Sequence, residues 1–242
     1  MGTIWWINPV GTAAFDEEVT LAIEASRAPH HRAVVRHLQH GPPHLEYREA
    51  GHRVIGPVTE LVREAETEGA HAAVVGCFFD VGVRVLRECV KLPVIGMGEA
   101  SMLLASTLGH RFSVIVGRRK WTPQIEQNAL LAGMERHLAS VRAVDMSIPA
   151  AQADPTTFFK RVREEARAAV RRDGAEVVVL SEIAPPGFAR ALREDLGAAF
   201  VDPGMAAWKW AEMMADLYER ESLSHSAVGD YEPWPEGELR RY

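Results

Sequence analysis

The chain has 242 residues, 47% of them hydrophobic and 25% charged. That is the profile of an ordinary globular protein of one or two domains, long enough to bury a core without metal or disulfide support. A net charge of −6 with no basic stripe excludes the usual electrostatic footprint for nucleic acid.

Short apolar runs alternate with longer amphipathic ones. The segments 3–8, 33–37, 72–77, 93–97, 112–117, 139–144, 177–181 and 199–201 are β-branched or aromatic and mostly lack polar alternation. This predicts parallel strands buried on both faces. Between them, 54–68, 98–108, 123–137, 155–172 and 204–219 read as helices. Strand–helix alternation of this kind specifies an α/β fold with mostly parallel sheet.

An internal repeat organises the chain. Gly69-Ala70-His71-Ala72-Ala73-Val74-Val75-Gly76-Cys77 aligns with Gly174-Ala175-Glu176-Val177-Val178-Val179-Leu180-Ser181-Glu182. Gly82 then matches Gly187 at the same offset. Leu86-Arg87-Glu88 matches Leu192-Arg193-Glu194, and Gly98 matches Gly204, after a one-residue slip. The repeat predicts two related α/β halves, or lobes; if these face one another across a pseudo-twofold axis, Cys77 and Glu182 point into a shared cleft from opposite sides. The first lobe is expected from residues 1–98 and 205–242 and carries Cys77; the second, 99–204, carries Glu182. Both side chains fall at the carboxyl end of a strand, where open parallel sheets bind ligands. Two opposed proton-transfer groups suit a carbon acid that loses a proton on one face and regains it on the other.

The residues Ile7-Asn8-Pro9 with Thr12, Gly76-Cys77-Phe78-Phe79-Asp80 with Gly82, Pro93 to Ala100 (PVIGMGEA), and Leu108-Gly109-His110-Arg111-Phe112-Ser113-Val114 carry a resemblance that spans nearly the whole chain. It is to the aspartate/glutamate/hydantoin racemase superfamily, and within it to the hydantoin and allantoin racemases. The resemblance implies two pseudo-symmetric flavodoxin-like lobes, each a parallel sheet flanked by helices, with the active site in the cleft between them. It implies no cofactor and no metal, a small-molecule substrate, and a homo-oligomer. It also implies two catalytic cysteines, one per lobe. Cys77 matches the first. At the second, usually in a Leu-Gly-Cys-Ala-Gly string, this chain has Glu182 in Leu180-Ser181-Glu182-Ile183-Ala184. The usual Thr-rich end of the strand opening the second lobe is replaced by Gly117-Arg118-Arg119-Lys120.

A carboxylate is a competent base, and an apolar setting lifts its pKa so that it also serves as an acid. Proton transfer between Cys77 and Glu182 therefore predicts a cofactor-independent racemase or isomerase of a small carbonyl-activated or carboxylate compound. Two other reactions stay open. Cys77 can act as a nucleophile on an unsaturated acid, as the resemblance to maleate isomerases implies. A lyase or decarboxylase of a malonate-type acid is the other, although arylmalonate decarboxylases keep their cysteine in the second lobe. A non-catalytic small-molecule binding protein is the reading from outside enzymology.

Substrate contacts are expected from Asn8, Gly11 and Thr12 in the first strand-to-helix turn, where the Thr12 hydroxyl can equally satisfy helix N–H groups. Phe78 and Phe79 either wall the cleft or fill the interior. Backbone N–H groups of Phe78 and Ile183 can hold an enolate or carboxylate oxygen. Arg118 can clamp an anion, and Glu99 suits a helix N-terminus. The glycines of the GMGEA segment make a weak nucleotide fingerprint.

Cys89 reads as helix packing. Six of the ten histidines lie between His30 and His52, in a stretch that also holds Gly41-Pro42-Pro43 and reads as an irregular loop, and no tetrahedral metal set is expected there. Two cysteines without a CxxC pair suggest a reducing compartment. MGTIWWINPVG lacks a positive n-region, so no signal peptide is expected, and no apolar stretch is long enough to span a membrane. The expected location is cytoplasmic.

Overall fold

A computed structural model describes residues 2–235. Its element order begins β1 (Thr3–Asn8), α1 (Asp16–Glu24), β2 (Arg32–His37), α2 (Arg48–Thr67), β3 (Ala72–Val75), α3 (Val83–Cys89), β4 (Val94–Gly96) and α4 (Met97–Leu108). It continues with β5 (Phe112–Val116), a 3-10 turn (Arg119–Trp121), α5 (Thr122–Leu131), β6 (Leu138–Ala143), α6 (Ile148–Ala153), α7 (Pro155–Asp173), β7 (Val177–Leu180), α8 (Phe188–Leu196), β8 (Ala199–Val201) and α9 (Pro203–Glu221).

The strands form two parallel sheets, ordered β2-β1-β3-β4 and β6-β5-β7-β8. The second order is the first with every strand number raised by four, so the repeat read from sequence is a repeat of topology. The α/β class with parallel sheets is as the sequence predicts. The chain groups into two compact units. One holds residues up to Cys77, Val81–Gly96 and the chain from Trp208; the other holds Phe78–Asp80 and Met97–Ala207.

Burial follows strand position. The inner strands β3, β5 and β7 are buried at every residue, as is β1 after Thr3. Of the edge strands, β2 and β6 are half-exposed, whereas β4 and β8 at the opposite edges are buried at all but one residue. The first unit packs Trp5, Ile7, Val54, Val58, Val62, Val75 and Leu86 into one core. The second packs Ile115, Phe158, Val162, Ala166, Leu180 and Leu192. In both, a long amphipathic helix (α2 or α7) supplies buried residues one turn apart.

Four differences from the sequence reading have local causes. Helix α2 starts six residues earlier than periodicity suggests, since its first turns are mostly polar. Helix α5 stops at Leu131 rather than 137, where Gly133 turns the chain at φ 71°. Helices α1, α3, α6 and α8 fall outside the predicted helix ranges; all four are short, and α6 has no buried residue to give it a periodic signal. The histidine-rich stretch is irregular at 30–31 and over 38–47, with His37 ending β2 and His52 inside α2.

Gly82 and Gly187 cap α3 and α8 from the left-handed region, at φ 72° and 83°. A side chain is strained there, which is why the repeat preserves glycine at both places. Among the described residues no helix is long and apolar enough to cross a membrane.

Candidate active site

In the first unit the carboxyl edge of the sheet is built around Asn8. It is buried at the end of β1, and its register partner on β2 is His37. Asn8 Nδ2 donates to Asp16 Oδ1 at 2.7 Å, while Asn8 Oδ1 accepts from Trp6 Nε1 at 2.9 Å. Asp16 Oδ2 lies 2.7 Å from His37 Nδ1. Both ends of the Asn8 amide are thus engaged by the protein, and it holds Asp16 and through it His37.

Gly76 continues this edge on the neighbouring strand. Its N–H donates to Ile7 O at 2.8 Å, and a Cβ there would fall 2.3 Å from Trp6 Nε1 and 3.0 Å from Asn8 Oδ1. Cys77 follows, half-buried, with its N–H donating to Val75 O at 2.8 Å. Neither Cys77 nor Cys89 forms a disulfide. Cys89 packs at the edge of the first core, and burial pushes its thiol pKa up. That suits packing rather than nucleophilic chemistry.

Gly11 and Thr12 lie in the turn after β1. Gly11 N–H donates to Pro42 O at 3.0 Å, and a Cβ at Gly11 would meet the Gly41 backbone at 2.4 Å. The Thr12 hydroxyl accepts from Ala14 N at 3.2 Å, forming a turn ahead of α1.

Phe78, Phe79 and Asp80 belong to the second unit. Phe78 is buried. The Phe79 ring stacks on Trp121 with centroids 3.7 Å apart, and its carbonyl accepts from Asn128 Nδ2 at 3.1 Å. Phe79 is thus a packing residue on the 3-10 turn and α5. Asp80 accepts from Gly98 N and Glu99 N, both at 2.8 Å, and so caps α4.

The repeat places Glu182 in the same local setting as Cys77. Ser181 N–H donates to Ile115 O at 3.0 Å, as Gly76 does to Ile7. Glu182 is half-buried, with Ser181 Oγ 3.5 Å from its Oε1. Ile183 packs against Gly204, whose added Cβ would lie 3.1 Å away. Asp202 accepts from Ala184 N and Met205 N at 2.8 and 2.9 Å, tying the Glu182 loop to the start of α9. Burial raises the Asp202 pKa, against the lowering pull of its backbone donors.

Arg118 is half-buried just beyond β5. Arg119 is exposed and sits 3.5 Å from Asp145.

Asp16, Asp80 and Asp202 were missed by the sequence reading, and His37 was weighed only as a metal ligand. For Asp16 and His37 the signal available was a polar residue ending each of two adjacent strands. For Asp80 and Asp202 it was an acidic residue near a helix-opening glycine.

Residues 4–211 match the family described as Asp/Glu/hydantoin racemase. The chain belongs to that family. The hydantoin racemase of Pseudomonas sp. (strain NS671) is 30% identical over 216 residues, covering 89% of this chain and 87% of the relative. The hydantoin racemase of Rhizobium meliloti is 35% identical over 153 residues, 63% of this chain and 64% of the relative. Among solved structures, allantoin racemase from Klebsiella pneumoniae superposes with TM-score 0.87 at 26% identity, covering 98% of this chain and 94% of that one. Arylmalonate decarboxylase, at TM-score 0.62 and 18% identity, shares the fold alone. The likeness to hydantoin and allantoin racemases stated from sequence is therefore shown. This member of the Asp/Glu/hydantoin racemase family is an enzyme of the racemase and isomerase type.

Proposed function

We propose that the enzyme racemises a small carbon acid activated by a carbonyl, hydantoin-like or amino-acid-like, without a cofactor, and that Cys77 and Glu182 are its two proton-transfer groups. The observation that carries this reading is their equivalence in the repeat. Each is the second residue past an inner strand, β3 or β7, and each precedes a helix entered through a left-handed glycine. The names of the relatives favour a cyclic hydantoin-type substrate over an open-chain amino acid.

The chemistry follows from charge. Removing a proton next to a carbonyl places negative charge on oxygen, and fixed donors aimed at that oxygen lower the barrier. The backbone N–H groups of Phe78 and Ile183, each one residue past a proton-transfer group, are the proposed donors. Arg118 adds positive charge at the carboxyl edge of its own sheet. In one direction the Cys77 thiolate takes the proton and the Glu182 carboxylic acid returns one to the other face. The opposite stereoisomer exchanges these roles. Each positioned acid or base contributes roughly 10²–10⁴-fold. Asn8, Asp16 and His37 are positioning residues in this scheme, because the Asn8 amide holds Trp6 at one end and Asp16 at the other. Gly11 and Thr12 shape the same turn.

Proton NMR in heavy water, with a panel of hydantoins, allantoin, amino acids and unsaturated diacids, tests the reading. Loss of the α-proton signal of one class, together with inversion, is expected. Cis–trans conversion of an unsaturated diacid, abolished in Cys77→Ser, would instead favour Cys77 as a nucleophile. Folded enzyme inert to every class would leave the non-catalytic binding role.

A further inference from the structure

His30 and His31 close the turn before β2, and their only acidic company in sequence is distant. The fold supplies it. His30 Nε2 and His31 Nε2 lie 3.7 and 3.4 Å from the same oxygen, Asp216 Oδ1 on α9. The three ligand atoms all lie within 4.8 Å of one another.

These separations are too long for hydrogen bonds, which run about 2.7–3.2 Å. They match another geometry. With metal–ligand bonds of about 2.0–2.1 Å, the edge of a coordination tetrahedron is about 3.4 Å. His31 makes the case stronger. Its side chain is 1% exposed, yet Nε2 makes no hydrogen bond. The ring meets the Gly2 backbone on its Nδ1 side, where an added Cβ would lie 2.8 Å away, so Nε2 is the atom turned toward Asp216. A buried ring nitrogen with no hydrogen-bond partner costs free energy that a bound ion would offset.

We propose that His30, His31 and Asp216 form a site for a divalent transition-metal ion of the zinc type, outside the catalytic machinery. Two imidazoles and one carboxylate suit zinc, cobalt or nickel rather than calcium or magnesium, which prefer oxygen ligands throughout. The His30 and Asp216 side chains are 60% and 38% exposed, which gives the ion an entry path and leaves remaining positions to water.

The surroundings are already ordered. Glu212, one helical turn before Asp216, accepts from Ala28 N at 2.7 Å and Trp208 Nε1 at 2.8 Å, and pairs with Lys209 at 2.8 Å. Its oxygens are committed to docking the 28–31 turn on α9, so the ion would add a second clasp between the same two segments.

The position also excludes a catalytic role. His31 precedes the register pair Thr3–Arg32, at the amino edge of the first sheet. Cys77 follows the carboxyl edge, about 17 Å away at 3.3 Å per residue along β1.

The test is calorimetric titration of the full, chelator-stripped chain with zinc, paired with the visible spectrum of the cobalt-loaded protein. One ion per chain is expected, with cobalt bands of a low-symmetry, nitrogen-rich site. His30→Ala and Asp216→Asn alter partly exposed side chains, so both should keep the wild-type circular dichroism and metal-free melting temperature. Each should weaken zinc binding by about ten-fold or more. Two results would overturn the site: no stoichiometric binding by wild type, or undiminished binding by both variants.

Discussion

Asp80 reaches across eighteen residues to accept the backbone N–H of Gly98 at 2.8 Å through one carboxylate oxygen, and that of Glu99 at 2.8 Å through the other. The carboxylate therefore caps α4 where its N-terminal N–H groups have no helical partner. Asp80 itself sits at φ 53°, an uncommon conformation outside glycine, and this geometry fixes the chain immediately after Cys77. Asp80→Ala is expected to cost about 1–2 kcal/mol of stability. Gly98→Ala should be comparably harmful, since its Cβ would fall 2.2 Å from Phe78 O. Urea unfolding gives the stability change. Turnover of the folded variants should fall further than stability alone explains; unchanged turnover would remove any link between this cap and Cys77.

The carboxylate of Asp16 serves two partners, Asn8 and His37, each at 2.7 Å. Asp16→Ala leaves both part-buried groups without it and should destabilise by about 1–3 kcal/mol. Asp16→Asn behaves differently, because its amide can still accept from Asn8 and donate to the His37 ring. It is expected to recover most of the stability that Asp16→Ala loses. Urea unfolding at neutral pH separates the two variants, and equal losses for both would argue against this network.

Much of the fold was legible because the features that specify it are local. The inner strands are apolar runs bounded by turn residues, and left-handed glycines such as Gly82 and Gly187 fix the repeat at the backbone level. Cys77 and Glu182 were legible for the same reason, as strand-end residues in a repeated string. What escaped was tertiary. Asp16 gains its meaning only when β1 and β2 pair in register and set Asn8 beside His37. Asp216 joins His30 and His31 only once α9 packs against the 28–31 turn. Phe79 stacking on Trp121 likewise depends on the 3-10 turn after β5. No sequence spacing encodes such meetings.

The second unit carries a polar network between its edge strand and α7. Arg142 donates from Nε to Glu165 at 2.6 Å and from Nη1 to Asp173 at 2.8 Å, while Ser140 Oγ donates to Asp173 at 2.6 Å. Burial pushes the Asp173 carboxyl upward, but the Ser140 and Arg142 hydrogen bonds outweigh it and hold the pKa below the ordinary 3.8. A carboxyl lowered on folding stabilises the native state above its unfolded pKa, and that contribution is lost as pH falls through the folded value. Asp173→Asn should therefore lower stability at neutral pH and flatten the loss below about pH 4. Arg142→Met should cost about 1–3 kcal/mol, since it strands two partly buried carboxylates. Thermal melts from pH 2 to pH 7 check both, and an unaltered acid limb in Asp173→Asn would assign that limb to other groups.

Glu182 stands where the racemase resemblance places a cysteine, so its substitution distinguishes a proton-transfer group from a bystander. Glu182→Gln keeps the shape and removes the exchangeable acid. If Glu182 transfers protons, turnover should fall by about 10²–10⁴-fold with little change in melting temperature. Cys77→Ser should fall comparably, because a hydroxyl is a far weaker base than a thiolate. Glu182→Cys is the more discriminating variant. It restores a thiol on the second strand end, so racemisation should exceed that of Glu182→Gln, and its pH dependence should shift toward the thiol range in the direction initiated from that side. Initial rates for each enantiomer, followed by circular dichroism across pH, read both effects. A Glu182→Cys enzyme with the same activity and pH profile as Glu182→Gln would mean that protons arrive at that face from another group. Of the residues around the Glu182 loop, Asp202, with its pKa raised by burial, would then be the first to substitute.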